Sequence, residues 1–416
     1  MQPEYYQNIA RTLERAKFHL AFFDDRLAMP DIYGGDHRAT VEHGIRAVKL
    51  DVVPIMMAMG LATTRLGLGA TYSTTYYEPY HVARVFATLD LLLGGRAAWN
   101  VVTSVNDSEA MNFGYEEHLD HDLRYERAHE FMEVVSGHWR AWDDDALVLD
   151  RVKGRFADPD KVHRLNHVGR YFKSRGPFTV PRSAQGQPVV MQAGQSGAGR
   201  KFAAKWGELI FASFRNLESA KALYKSIKDE VERAGRNPDH VKVAPAIYVV
   251  VGETRDIAKE KLDVIKNQSR AEDGLTLMAE SLNFDFSVFA RDHVFTDEEL
   301  AQIGPNLGTR DGVIKASGKS NPTLDDFIKF SGRGTVAELP MFDGSPGDVA
   351  DQLEEWFVEG GCDGFVLSAT HRPGAYEDFA RLVVPELQRR GMFHHDYSGA
   401  TLRENLGLPS LAQSKN

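Results

Sequence analysis

Apolar positions along the chain alternate between two spacings. Tyr6, Ile9, Leu13 and Ala16 recur every three or four residues, which predicts a helix over residues 5–18. The short apolar run HLAFF that follows is typical of a buried strand. Similar runs after further helical stretches predict seven strands in all, beginning at His19, Leu66, Arg96, Pro188, Leu209, Val241 and Asp363.

Strict alternation of strands and helices indicates a parallel sheet with right-handed crossovers. A closed (β/α)8 barrel needs eight strands, and this chain opens on a helix where a barrel opens on a strand. We therefore predict an α/β protein, a TIM barrel without its first strand, and attribute the difference to an N-terminal truncation or a misassigned start. Residues 1–416 are expected to form this one domain.

Two segments interrupt the alternation. Residues 143–187 are polar and hairpin-like, and we interpret them as an insertion. Residues 274–335 are rich in Gly, Asp, Asn and Ser, with short apolar islands such as FDFSVFA. A long excursion of this kind is often a lid over an active site, and we predict a lid here.

The composition narrows the classes of function. The net charge is −10 and no Lys- or Arg-rich tract occurs, which argues against nucleic acid as a partner. Cys362 is the only cysteine, so no intramolecular disulfide and no multi-cysteine metal site can form, and we expect a reducing, cytoplasmic compartment. The first thirty residues lack the pattern of a signal peptide, and no apolar run approaches the roughly 18 residues of a membrane span.

A glycine-rich turn is the clearest candidate for binding an anion. The stretch AGQSGAGRK, from Ala193 to Lys201, leaves an apolar strand and opens a helix. Small residues let backbone N–H groups approach a phosphate, and a helix amino end adds donors and positive dipole character. Ser196 and Gly197 would then contact the phosphate. The alternative is a tight turn in which Ser196 only caps the helix.

Three further residues are candidates for contacts to a heterocycle. His121 and Tyr125 are four residues apart in HDLRYERAHEF and share a face at the start of a helix. They could bind a heterocycle or a phosphate, or they could follow an ordinary cap made by Asp120. Asp25, at the end of the first predicted strand, could bind a hydroxyl group or could serve a turn. The acidic stretch EEHLDHD has no partner of suitable spacing, so we predict no metal site.

Longer stretches resemble the nitrilotriacetate and dibenzothiophene-sulfone monooxygenases of the luciferase-like superfamily. They cover most of the chain outside residues 274–335: YYQNIARTLERAKF, LGLGATYSTTYYEPYHVARVFATLD, GGRAAWNVVTS, HDLRYERAHEFMEVV, FADPDKVH, RGPFTVPRSAQGQPVVMQAGQSGAGRKFAA and DGFVLS.

The resemblance implies a TIM barrel of the bacterial-luciferase type that binds FMN as FMNH2. The positions similar to the family's flavin contacts are Asp25, Thr71, Asn100, His121, Tyr125, Ser196 and Gly197. His121 and Tyr125 would be catalytic and would steady the C4a-hydroperoxyflavin formed with O2, which oxygenates a small nitrogen or sulfur compound, nitrilotriacetate-like or aryl-sulfone-like. A separate NAD(P)H:flavin reductase would supply FMNH2, and a homodimer or homotetramer is expected.

Two alternatives stay open. A deazaflavin-dependent oxidoreductase of the same fold could use a similar pocket without oxygen. A barrel hydrolase or a ligand-binding protein would have no redox role at all.

Overall fold

One parallel sheet organises the protein. Our computed structural model describes residues 2–194, 197–303 and 307–411. Within these ranges the strands are β1 Leu20–Phe23, β2 Gly67–Ser73, β3 Ala97–Val102, β4 Leu147–Asp150, β5 Arg155–Ala157, β6 His167–Val168, β7 Lys173–Ser174, β8 Val189–Gln192, β9 Leu209–Ala212, β10 Lys242–Val251, β11 Met341–Gly344 and β12 Val366–Ser368. Eight of them pair in parallel in the order β1-β2-β3-β8-β9-β10-β11, and β12 also pairs with β10.

The sheet is curled into a barrel. One buried apolar cluster contains residues from β1, β3, β8, β9, β10 and β12, so strands far apart in the sheet share a single interior. The rings of Phe22 on β1 and Phe211 on β9 are 5.7 Å apart across that interior. Strands such as β2 and β8 are buried along their whole length, as expected where helices cover the outside of a parallel barrel. The predicted (β/α)8 fold class is confirmed.

All seven predicted strands are present, and the sheet contains one further strand that the sequence did not predict. Met341–Gly344 forms β11 and pairs with the end of β10, Tyr248 opposite Met341 and Val251 opposite Gly344. Its sequence MFDG has only two apolar residues and ends in glycine, so it contains no apolar run from which a strand could be predicted. Among the described residues no ladder joins β1 to β12.

Helices cover the outside of the barrel and fill the connections. In the described residues they are α1 Pro3–Arg15, α2 Arg38–His43, α3 Val52–Gly60, α4 Pro79–Leu92, α5 Asp107–Asn112, α6 His121–Trp139, α7 Gly197–Trp206, α8 Leu217–Arg233, α9 Arg255–Lys266, α10 Ala271–Leu282, α11 Asp297–Gln302, α12 Leu307–Ser317, α13 Leu324–Ser331, α14 Pro346–Val358, α15 Gly374–Asp378, α16 Val384–Arg389 and α17 Leu402–Asn405. The Asp51 carboxylate accepts from Val53 N at 2.9 Å and starts α3.

The two interrupting segments have different structures. Between residues 143 and 187, β4 pairs with β5 and β6 with β7 in two small antiparallel sheets outside the barrel sheet. The later segment contains α10 to α13, helices that the sequence analysis did not predict. They enclose an aromatic core in which Phe286, Phe295 and Phe327 are fully buried.

The C-terminal segment closes one mouth of the barrel. Leu402, Leu406 and Leu408 belong to the interior cluster. Leu402 N donates to Gly95 O at 3.0 Å, just before β3, so this mouth is the one at the amino ends of the strands. The opposite mouth, at the carboxyl ends, is where TIM barrels carry their active sites.

Candidate active site

Thr71 and Asn100 lie opposite each other on β2 and β3. Both are only 4% exposed. The Thr71 hydroxyl donates to Phe23 O at 2.8 Å, and Asn100 Nδ2 donates to Thr71 Oγ1 at 2.9 Å. Asn100 Oδ1 is buried and has no hydrogen-bond partner among the described residues. A buried acceptor without a donor costs roughly 1–3 kcal/mol, so a ligand that brings an N–H or O–H group would be favoured here.

Replacing Asn100 by leucine separates binding from stability. We expect the Asn100→Leu variant to bind reduced FMN about 10-fold more weakly, because the acceptor is lost, while its unfolding free energy changes by less than about 1 kcal/mol, because the unpaired oxygen is lost too. Anaerobic fluorescence titration and urea denaturation measure the two quantities. Asn237→Leu is the matched control: the Asn237 side chain accepts from Asp239 N before β10, at the other end of the barrel. Loss of stability in Asn100→Leu without loss of affinity would contradict the role.

Asp25 follows β1 by two residues, at the same mouth. Its Oδ1 accepts from Arg26 N at 2.9 Å, which is also what a plain turn aspartate would do. Burial raises the pKa of Asp25 to about 6, although this backbone hydrogen bond and the charge of Lys49 oppose the shift. The carboxyl group therefore changes charge near pH 6 in the folded protein.

This titration predicts a pH dependence of flavin affinity. Above about pH 6 Asp25 is a carboxylate, a stronger acceptor for a hydroxyl or N–H group, so affinity for reduced FMN is expected to rise through pH 6. The phosphate of FMN also titrates near pH 6, at about the second pKa of a phosphate ester. The matched Asp25→Asn variant contains only the phosphate contribution. Identical pH profiles for the two proteins would contradict a contact from Asp25.

Ionisation of Asp25 is expected to raise the affinity for flavin but to lower the stability of the folded protein. Because the folded-state pKa of Asp25 is raised above that of an exposed carboxyl group, ionisation disfavours the folded state. The contribution of Asp25 to stability is full below its unfolded-state pKa and is lost as the pH rises through about 6.

His121 and Tyr125 occupy the first turns of α6. Asp120 starts this helix by accepting from Asp122 N and Leu123 N, the ordinary cap that the sequence analysis gave as the alternative. The rings of His121 and Tyr125 are 5.2 Å apart, on one face of the helix. His121 Nδ1 lies 2.9 Å from the Asp122 carboxylate, and its side chain is 40% exposed. The pair is therefore at the surface of the mouth, within reach of a ligand.

Two glycines bring the glycine-rich turn against Tyr125. A Cβ atom on Gly199 would lie 2.9 Å from the Tyr125 hydroxyl and 2.9 Å from Gly194 Cα. Neither position has room for a side chain. A Cβ atom on Gly197, the first residue of α7, would meet nothing within 4 Å, so no described residue covers the amino end of this helix on that side. The predicted contact of Ser196 lies outside the described residues.

The sheet brings the Thr71–Asn100 pair and the glycine-rich turn to the same mouth of the barrel. Asn100 on β3 is in register with Met191 on β8, and Gly194 follows two residues after the end of β8. The Arg124 guanidinium, 4% exposed, donates to Ser104 O after β3 and so holds the start of α6 against that strand's end. The sequence analysis missed Arg124, and it included Gly194 and Gly199 only as small residues of the glycine-rich turn, without their contact to Tyr125. The helical spacing of Arg124 from His121 was visible, but its backbone partner was not.

The arrangement fits FMN. The unpaired Asn100 oxygen suits the polar edge of a flavin ring, and the open amino end of α7 suits a phosphate. In the ranges that the structure describes, no group of three or more His, Cys, Asp or Glu side chains is placed to hold a metal ion. No helix in those ranges has both the length and the apolar composition required to span a membrane.

Comparisons with known proteins identify the family. A family profile described as luciferase-like monooxygenase matches residues 1–364. The chain is 46% identical over 407 residues to dibenzothiophene-sulfone monooxygenase of Rhodococcus erythropolis, covering 97% of the chain and 90% of that relative. It is 37% identical over 421 residues to nitrilotriacetate monooxygenase component A of Aminobacter aminovorans, covering 99% and 91%.

A solved structure of a related protein has the same fold. The crystal structure of a riboflavin lyase with modified FMN and riboflavin superposes with a TM-score of 0.89 at 32% identity, covering 98% of this chain and 90% of that one. The resemblance found in the sequence is thus confirmed over nearly the whole chain, and the protein belongs to the luciferase-like monooxygenase family as a flavin-dependent monooxygenase.

Proposed function

We propose that this chain is the oxygenase component of a two-component system, which uses reduced FMN and O2 to oxygenate a small organic nitrogen or sulfur compound. The observation that carries the proposal is the buried, unpaired Asn100 oxygen at the carboxyl ends of the strands. A buried acceptor is costly unless a ligand satisfies it, and a flavin ring edge carries suitable N–H groups.

The chain's own residues bind and orient the cofactor. The amino end of α7, at Gly197, would bind the phosphate, and Asn100 and Asp25 would accept hydrogen bonds from the flavin's polar groups. Reduced FMN, when bound, supplies the electrons that activate O2. Tyr125, whose hydroxyl group lies against Gly199, would offer that group to the bound cofactor, with His121 next to it. The two hold polar groups in place before the reaction starts, which is the main protein contribution in such sites.

The segment that contains α10 to α13 would exclude water from the candidate active site. Its aromatic core makes it a rigid body, and Asn283 after α10 donates to the Asp107 carboxylate at the start of α5. Leu27 N, in the connection after β1, donates to the Glu109 carboxylate of the same helix at 3.1 Å. These contacts suit a lid that keeps water from a reactive oxygenating species.

The partner and the substrate class come from the named relatives. One relative is a "component A", which supports a separate NAD(P)H:flavin reductase as the source of FMNH2. The named substrates, a sulfone and nitrilotriacetate, support a small sulfur or nitrogen compound.

Oxygen uptake tests the function. The chain is mixed with photoreduced FMN, in the presence of catalase, and with aryl sulfones, dialkyl sulfides or aminopolycarboxylates in turn. We expect one class of compound to give oxygenated product in proportion to the O2 consumed. Turnover without O2 would favour the deazaflavin alternative, and no binding of reduced FMN would favour a hydrolase or binding protein.

A further inference from the structure

A large cavity, widely open to solvent, lies between α9 and α10. Its volume is about 870 Å³, and its walls come from α9, α10, residues 334–338 and residues 369–371. Tyr248 on β10 also lines it. Sites for small molecules in proteins have volumes in this range.

One wall of the cavity is apolar. Ile257 and Val264 of α9 line it and are 38% and 56% exposed. They are seven residues apart and so lie on one face of the helix. Leu277 of α10 and Val336 add to the same lining. An apolar occupant that removes this surface from water would bind favourably, because burial of apolar surface lowers the free energy.

The guanidinium group of Arg46 lies at one end of the cavity. Arg46 lines the cavity, and Arg26 and Arg46 both point to Glu280, at 3.8 Å and 3.9 Å. Glu280 is 3% exposed, so one buried carboxylate faces two guanidinium groups. Asp24 also interacts electrostatically with both arginines, but its carboxylate contacts Lys49 at 2.8 Å. Within the described residues neither guanidinium donates a hydrogen bond, although each has five N–H donors.

In the part of the chain that the structure describes, no carboxylate of the cavity lining forms an ion pair with Arg46. The remaining carboxylate of the lining, Glu260, is exposed to solvent. The other charged side chains are paired, Lys261 with Asp378, Glu338 with Arg333 and Asp273 with Arg270.

The backbone at Arg46 is also unusual. Its φ is 53°, a left-handed conformation that non-glycine residues rarely adopt. Such a conformation costs of order 1–3 kcal/mol and occurs often at ligand contacts. Arg26, the second arginine, donates its backbone N–H to Asp25, so the arginine pair lies next to a proposed flavin contact.

We propose that this cavity binds the organic substrate and that Arg46, assisted by Arg26, recognises an anionic group on it, a carboxylate or a sulfonate attached to an apolar body. The inference rests on the proposed function, since it names the substrate class of that reaction. It assigns the apolar body to the wall formed by Ile257 and Val264 and the anion to the arginine pair.

Calorimetric titration without flavin tests the inference. The probes are 2-naphthoate and naphthalene-2-sulfonate, compared with the neutral methyl 2-naphthoate. We expect the two anions to bind the wild-type chain about 10-fold more tightly than the ester, a difference that a charge-assisted hydrogen bond supplies. Arg46→Gln should weaken the anions about 10-fold and leave the ester unchanged, and Arg46→Lys should recover part of the difference.

Lys259→Gln is the matched control, because it removes one exposed charge from α9 outside the cavity lining. It should leave both anions unaffected, and unchanged thermal midpoints show that the variants are folded. Equal affinity of wild type for acid and ester, no binding of any probe, or equal losses in Arg46→Gln and Lys259→Gln would overturn the inference. Because these titrations contain no flavin, their failure alongside normal oxygen uptake with reduced FMN refutes the substrate class alone.

Discussion

The Gly199→Ala variant is expected to bind reduced FMN about 10- to 100-fold more weakly than the wild-type chain. Its new methyl group would lie 2.9 Å from the Tyr125 hydroxyl and 2.9 Å from Gly194 Cα, closer than such atoms approach. Either Tyr125 or the glycine-rich turn must move. Overpacking of this kind costs typically 1–3 kcal/mol, and about 1.4 kcal/mol is a factor of ten in affinity. Anaerobic fluorescence titration measures the loss.

A second glycine provides the control. At Gly364, in the turn before β12, an added methyl group would meet nothing within 4 Å, so Gly364→Ala should bind reduced FMN as the wild type does. Wild-type affinity in Gly199→Ala would mean that the contact between Tyr125 and the turn is not needed for the cofactor. Equal losses in both variants would point to a general effect of substitution.

Arg403→Ala should lower the free energy of unfolding by about 3–5 kcal/mol, the usual cost of leaving one member of a buried ion pair alone. The Arg403 guanidinium contacts the Glu208 carboxylate at 2.6 Å and 3.0 Å, and the two residues are 2% and 7% exposed. The pair ties the C-terminal segment to the residue before β9. Urea denaturation with analysis of the midpoint and slope measures the change.

Arg389→Ala is the matched control. Arg389 contacts Glu386 at 2.6 Å, as short a distance, but its side chain is 70% exposed. An exposed pair contributes roughly 0–1 kcal/mol, so this variant should lose no more than that. Equal losses in the two variants would contradict the claim that the buried pair holds the closed mouth of the barrel.

Most of the barrel could be predicted because its strands are long apolar runs separated by amphipathic helices. β2, buried throughout, and α1, with Leu13 buried on its inner face, follow the two periodicities directly. β11 could not be predicted, because its four residues include Asp343 and Gly344 and it forms only by pairing with β10. The helices α10 to α13 are stabilised by contacts among distant phenylalanines, which short apolar islands do not indicate.

Part of the candidate site could likewise be predicted from the sequence, and part could not. His121 and Tyr125 share a helix, so their spacing of four was enough to bring them together. The unpaired oxygen of Asn100 could not be anticipated, because it depends on the register that places Thr71 opposite it. The left-handed Arg46 and its approach to Glu280 depend on how α10 packs over the connection after β1. No local pattern in the sequence carries that information.

A crystal structure of the chain with FMN tests the central claim most directly. We predict the phosphate at the amino end of α7, with its oxygens about 3 Å from the first backbone N–H groups of the helix, and a ring N–H or ribityl hydroxyl within hydrogen-bond distance of Asn100 Oδ1. Flavin density away from the carboxyl ends of the strands, or an Asn100 oxygen with no flavin atom near it, would contradict the account.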